Sequence, residues 1–368
     1  MFTIEGKFNS AKIMIDSVDQ ETMSQIYSFL NHPAFADGQI VIMPDTHAGA
    51  GAVIGFTMPL NDYIIPNIVG VDIGCGIESY CLGEVDIDFS ELDKFVRGNI
   101  PSGFAIRDKA SNQLFPKIKE KLDLLAKKVG MDAARAFTSI GTLGGGNHFI
   151  EIEIDSTNRK WLTIHTGSRN FGLQIATYHQ NKAKAYMKDN FYKGLEYLHI
   201  DEGGAEYLED MKFAQLYAEN NRQVIASKLL NYFSVNSPEE TIKSVHNYIN
   251  FEDNIIRKGA ISAHTGQKLV IPLNMRDGVI IGVGKGKPEW NYSAPHGAGR
   301  VLSRSQAKKS VDLRDYQKSM KGIWSSCVNL STIDESPMVY KPMDAILETI
   351  GDTIEIIDIL KPIYNFKA

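Results

Sequence analysis

The spacing of apolar and polar residues changes character several times along the chain. Residues 11 to 15 (AKIMI) read as a short strand, and an amphipathic pattern predicts a helix that starts near Ser17. Short apolar runs between glycine-rich turns follow, QIVIMPDTHAGAGAVIGFTMP and then NIVGVDIGCGIESYCLG. Their Val, Ile and Tyr content suits strands, and their glycines suit tight turns. Residues 114 to 128 and the stretch from Glu206 to about Tyr232 carry helical spacing. In the second, Tyr207, Met211, Ala214, Ala218, Asn221, Ile225 and Leu229 fall on one stripe, read as the core-facing side of a helix. The last hundred residues return to strands and loops, with one short helix near Pro342 to Ile350. Strands and helices come in clusters rather than in regular alternation, which favours an α+β fold.

Composition refines this picture. A length of 368 residues suggests about two domains, and 43% hydrophobic residues supply a real core. The formal net charge of -5 gives no bulk signature of a nucleic-acid binder, so any such contact needs a local basic groove. Three cysteines exclude a disulfide-stapled scaffold. The N-terminal MFTIEGKFNSAKIM lacks the layout of a secretion signal, and DTIEIIDILKPIYNF is interrupted by charges and too short to span a bilayer. The expectation is a soluble cytoplasmic protein without a membrane partner.

The residues able to do chemistry sit at glycine-rich turns. Asp72 and Cys75 lie three apart in DIGCG, and a thiolate there can bridge two metal ions, although a buried inert cysteine is the ordinary alternative. Asp45 and His47 in PDTHAGAG are either ligands or partners that orient a ligand, the second reading being preferred. GTLGGGNHFIE presents Asn147 and His148 at the head of a strand, and its glycines let a backbone approach phosphate. His165 ends an apolar strand before Arg169, a cation that can pair with a carboxylate or grip a phosphate. His246 is weak alone. His296, in PHGAGR with Arg300 and Arg304 nearby, suits a nucleophile attacking phosphate better than a metal ligand. The run GVGKGK at 282 to 287 is most simply a flexible turn. Asp72, Cys75, His148, His165 and His246 together form a mixed O, S and N set that suits Mn, Fe, Co or Zn, and they read as a two-metal site for phosphoryl or nucleotidyl transfer. His32, His179, His199 and His264 have no such setting.

The ordered series MPDTHAGAGAVIG, VDIGCGI, GTLGGGNHFIE, HTGSR, HN, RKGA and HGAGRVLSR resembles the RtcB family of RNA ligases, from Asp45 to Lys367. The resemblance implies an α+β fold of mixed and antiparallel sheets surrounded by helices, with the active site in a central cleft. It implies joining of an RNA 3′-phosphate or 2′,3′-cyclic phosphate to a 5′-hydroxyl in RNA repair or tRNA splicing, with GTP and two Mn²⁺ ions. By the family's motifs, Cys75 would bridge the ions, Asp72 and His148 completing one and His165 and His246 the other. His296 would become guanylylated. Asn147 would hold an α-phosphate oxygen, Glu151 would face the guanine edge, and Asn274, Gly297, Ala298, Gly299 and Lys367 would complete the nucleotide site. Arg169, Arg300 and Arg304 would line the RNA-phosphate groove. A monomer is the family-like expectation, and the need for an activating protein is left open. The chain departs from the family at IPLNMRDG, where Asn274 stands in place of an expected serine, and at its final Lys-Ala in place of Lys-Gly, which marks a divergent branch. Because the site draws on residues from Asp72 to Lys367, a single catalytic domain over 1–368 fits better than two. Two other readings compete: a two-metal RNA phosphoesterase without ligation, and a non-catalytic RNA-binding protein.

Overall fold

The computed structural model describes residues 1–188 and 191–367. Ala368, the residue at which the chain departs from the family's usual ending, lies outside the described residues, as do Asp189 and Asn190. The strands are β1 (Phe2–Glu5), β2 (Ser10–Ile13), β3 (Ile40–His47), β4 (Ile54–Pro59), β5 (Tyr63–Ile64), β6 (Gly76–Gly83), β7 (Phe149–Ile154), β8 (Lys160–Thr166), β9 (Leu198–His199), β10 (Thr241–Val245), β11 (Asn247–Asn250), β12 (Ile255–Lys258), β13 (Ala260–Ser262), β14 (Lys268–Asn274), β15 (Gly278–Gly284), β16 (Ser293–Pro295) and β17 (Ile354–Lys367). The α-helices are α1 (Gln20–Leu30), α2 (Pro66–Val69), α3 (Phe89–Asn99), α4 (Pro116–Lys128), α5 (Ala133–Ser139), α6 (Arg169–Met187), α7 (Gly204–Tyr232), α8 (Arg304–Ser310), α9 (Leu313–Ser319) and α10 (Met343–Ile350).

Two sheets carry the molecule. One runs β1-β2-β3-β4-β12-β11, the other β10-β6-β8-β7-β17-β15-β14. Neighbouring strands pair antiparallel except β2 with β3, so this is the α+β arrangement of mixed and antiparallel sheets flanked by helices. All eight residues of β6 are buried, because both faces of that strand are covered.

Most of the patterned segments form as their spacing predicts. Asp19 caps α1 by accepting from the Thr22 N–H, and Pro116 opens α4 where a missing N–H costs nothing. One reading changes, and α2, α3, α5 and α6 go beyond the helices read from the sequence. The last hundred residues hold α8 and α9 besides the helix near residue 343. The 19-residue α6 is not visible as a pattern, since its buried side holds Gly172, His179 and Gln180 among apolar residues. On α7 the buried side includes Asn220, Asn221 and Arg222, so the stripe is not only apolar.

Register fixes the site. In the second sheet Ile77, His165, Phe149 and Lys367 form one row across β6, β8, β7 and β17, and Ser79, Thr163, Glu151 and Asn365 form the row two residues along. Directly opposed residues share a face. One sheet face therefore carries His165, Lys367 and Glu151 toward the same cavity.

Candidate metal and nucleotide site

A cavity of about 300 Å³ lies where the ends of β3, β6, β7 and β8 meet the turn after β16. Asp72, Cys75, Asn147, Glu151, His165, His246, Asn274, His296, Gly297, Ala298, Gly299, Arg300, Arg304 and Lys367 all line it. His148 stands behind Cys75 and Asp72, and Arg169 stands behind His148.

The donor atoms of the five candidate ligands crowd together. The Cys75 Sγ lies 3.5 Å from His148 Nε2 and 3.3 Å from His165 Nε2, and His165 Nε2 lies 3.3 Å from His246 Nε2. His148 Nε2 is 3.1 Å from an Asp72 carboxylate oxygen. Cys75, His165 and His246 form one metal-sized cluster, and Asp72, Cys75 and His148 form another, with Cys75 in both.

Hydrogen bonding decides what these atoms are. His148 Nδ1 meets the Leu143 carbonyl at 2.9 Å and His165 Nδ1 meets the Asn147 carbonyl at 3.2 Å. A carbonyl only accepts, so each Nδ1 carries a proton, and in the neutral ring that a metal ligand requires each Nε2 presents a lone pair. The lone pair of His148 therefore faces a carboxylate, and that of His165 faces sulfur. With Cys75 as thiolate these atoms are acceptors facing acceptors, an arrangement that a cation between them stabilises, and neighbouring donors on one ion with bonds of about 2.0–2.3 Å have this spacing. The donor set fits divalent metal.

Electrostatics agrees. Burial pushes His165 and His246 well below the ordinary imidazole range, with neighbouring histidines adding to the effect, so both stay neutral as ligands must. Burial works against ionisation of Asp72, while the nearby Arg169 guanidinium favours the carboxylate that a metal ligand requires. Burial and the Asp72 charge push the Cys75 thiol up, which a bound cation would reverse. Gly167 has no room for a side chain, since a Cβ there would sit 2.3 Å from the Asp72 carboxylate.

His296 is held differently. Its Nδ1 donates to an Asp45 carboxylate oxygen at 2.7 Å, and its backbone N–H meets the same oxygen at 3.2 Å. This directs Nε2 away from Asp45, with the ring 4.9 Å from that of His246. Asp45 is fully buried. Gly299, at a φ of 72°, lets the turn close over Asp45, because a Cβ would come 2.7 Å from the Asp45 carbonyl.

The family described as tRNA-splicing ligase RtcB matches residues 25–368. The chain belongs to the RtcB family. The chain is 32% identical to the RNA-splicing ligase RtcB of Escherichia coli strain K12, and the match covers 95% of each protein. It is 28% identical to the tRNA-splicing ligase RtcB of Aeropyrum pernix, over 84% of this chain and 83% of that protein.

For an RtcB-family chain, several placements are more specific than the motifs foretold. Asp45, read as an orienter of a ligand, holds His296. Glu335 emerges from a 3-10 segment with no pattern of its own, accepting from Lys367 Nζ at 3.0 Å, Arg300 at 3.2 Å and the Tyr340 hydroxyl at 2.6 Å, and forming an ion pair with Arg304 at 2.7 Å. Burial opposes its charge, but Lys367 and Arg304 hold Glu335 down to about 2. Arg300 also donates to the Leu302 and Asp334 carbonyls, so its guanidinium ties down its own turn, while Arg304 is half-exposed. Asn274 accepts from the backbone of Arg276 and Asp277 within its own turn and donates to the Asp277 carboxylate. Glu151 is buried beside Asn365, which donates to it, and burial raises its carboxyl despite Lys367. Lys285 of the GVGKGK run reaches the Gly351 carbonyl outside the cavity. His179 pairs with Asp210 and His264 with Asp253, both away from the site. Cys81 and Cys327 are buried and free. Among the described residues no helix is long and apolar enough to cross a membrane.

Proposed function

We propose that this protein is an RNA ligase that joins RNA 3′-phosphate or 2′,3′-cyclic phosphate ends to 5′-hydroxyl ends, with GTP and two Mn²⁺ ions, in RNA repair or tRNA splicing. The observation that carries the reading is the pairing of His296 with buried Asp45 beside a donor set that shares one cysteine between two clusters. The ions, when bound to Asp72, Cys75, His148, His165 and His246, would neutralise phosphate charge at the reacting centre.

The chain's own residues supply the rest. His296 Nε2 attacks the α-phosphorus of GTP; an N–P bond forms, the P–O bond to pyrophosphate breaks, and Asp45 stabilises the positive imidazole that results. An oxygen of the RNA 3′-phosphate then takes the GMP and returns His296 to its neutral form. A 2′,3′-cyclic end is first opened by water to that 3′-phosphate; the 5′-hydroxyl then attacks the activated phosphate, its O–P bond forms as the P–O bond to GMP breaks, and its proton is released to solvent. Asn147 and the Gly297–Ala298–Gly299 turn border the α-phosphate position. Glu151, its proton occupancy set by burial and Lys367, is the acceptor for guanine N–H groups. Asn274 borders the base, and Arg169 and Arg304 are the cations for RNA phosphate, with Arg300 bracing the turn. The lining runs from His47 to Lys367, which supports one catalytic domain over the whole chain.

The test is incubation with labelled GTP and Mn²⁺. An acid-labile covalent adduct that disappears in His296→Ala is expected. Metal binding without any adduct would leave the phosphoesterase reading, and an adduct with ATP alone would keep the mechanism and change the base.

A further inference from the structure

Asn221 and Arg222 are adjacent on α7, both at least 98% buried, and neither lines the cavity. Between them they reach three ligand-bearing segments. The Asn221 carbonyl oxygen accepts from the backbone N–H groups of Gly141 at 2.7 Å and Thr142 at 3.1 Å. Its amide donates to the Thr142 carbonyl at 3.1 Å, the Thr166 hydroxyl at 3.3 Å and the Gly167 carbonyl at 3.1 Å. The Arg222 Nη1 donates to the Gly74 carbonyl at 2.8 Å and the Thr166 carbonyl at 2.9 Å, while Nε is anchored on Glu78 at 3.0 Å.

Each contact touches a segment that holds a ligand. Gly74 lies between Asp72 and Cys75. Thr166 and Gly167 follow His165. Residues 141 and 142 lead into Leu143, whose carbonyl fixes the His148 tautomer and also accepts from the Thr166 hydroxyl. The fourth segment is tied on separately, through the His246 N–H to the Cys75 carbonyl at 3.0 Å. Gly74 lets the helix approach: a Cβ there would sit 2.9 Å from the Gln215 Cα.

We propose that Asn221 and Arg222 are positioning residues that hold the three ligand segments at the spacing divalent ions require. This rests on the reading of Asp72, Cys75, His148 and His165 as ligands. The residue types suit the task. A carboxamide both donates and accepts, and a guanidinium fork reaches two carbonyls and a carboxylate at once. Aspartate at 221 would oppose acceptor to acceptor, and lysine at 222 would lose the fork. Removing a group that hydrogen-bonds a ligand typically weakens metal binding tenfold to a hundredfold, and groups that hold the ligand segments are expected at the lower end of that range.

The probe is Co²⁺ added to the metal-free full-length chain, followed by its thiolate charge-transfer absorption and by calorimetry. Asn221→Asp and Arg222→Lys are expected to bind Co²⁺ about tenfold or more weakly, with an altered band. Leu229→Ala, on the same helix but in the apolar core, is expected to lower the melting temperature of the metal-free protein and leave Co²⁺ affinity at the wild-type value. Wild-type affinity and band shape in both Asn221→Asp and Arg222→Lys, whatever their melting temperatures, would overturn the proposal. Should either fail to fold, Glu78→Gln carries the same test by loosening the anchor of Arg222, and an unchanged affinity there counts against it. If the wild-type chain itself gives no thiolate band, the ligand reading fails and takes this one with it, an outcome distinct from a wild-type band that the variants share.

Discussion

At the scale of single residues, the contact between Asp45 and His296 governs the proposed chemistry. In Asp45→Asn an amide can donate where a carboxylate accepts, which favours the wrong imidazole tautomer. Adduct formation should slow by about a hundredfold or more while the KM for GTP moves little, read from the time course of labelling. Glu335 makes a second prediction. Its carboxyl is held down to about 2 in the folded chain, against an unfolded value of about 4.3, so its contribution is fully present above about pH 5 and lost as pH falls toward 2. Glu335→Gln leaves Lys367, Arg300 and Arg304 facing no charge at that point and should cost about 3–5 kcal/mol in urea unfolding at neutral pH. The difference between wild type and variant should shrink across the window from 5 to 2. Such roles divide by how visible they are in the chain. Most of the candidate ligands announce themselves, because Asp72, Cys75, His148 and His165 each sit at a glycine-rich turn or a strand end. Glu335 and Arg222 do not, since a carboxylate in a 3-10 turn and a cation on a helix look the same whether solvated or buried until the partners arrive through tertiary contact.

At the scale of elements, pairing distances set ligand distances. β6 and β10 are joined at Gly76 and Val245, next to Cys75 and His246. A Cβ on Gly76 would meet the Ser244 carbonyl at 2.7 Å and the Val245 Cα at 2.9 Å, and neither is a flexible group. Gly76→Ala should therefore part the strands, lower stability by about 1–3 kcal/mol in denaturant titration, and weaken metal binding measured by calorimetry. The strands themselves were legible from β-branched runs between glycines, as were α1, α4 and α7 from helical spacing. α6 was hidden because its buried side holds Gly172, His179 and Gln180 among apolar residues and so shows no clean stripe. Its position is dictated by the segment it must cover rather than by its own propensities.

At the scale of the whole molecule, a net charge of -5 must coexist with the proposed site for two polyanions. Arg300 is turned inward, so few cations are left to meet RNA phosphates directly. The dependence of log Kd on log salt should be shallow, with a slope of about one to two, and chelation should weaken RNA binding as well, both measured by fluorescence anisotropy. The order of the second sheet has a different kind of consequence. β17 lies between β7 and β15, at the middle of the sheet rather than at its rim, yet the stretch from 155 to 353 separates it from β7 along the chain. During synthesis at about 5–20 residues per second, β7 waits on the order of ten seconds or more for the strand that will cover its edge. Through that interval an open, largely apolar edge is offered to any nascent neighbour, so heavily translated or heat-stressed cells should lose this protein to aggregation before it ever reaches its folded form.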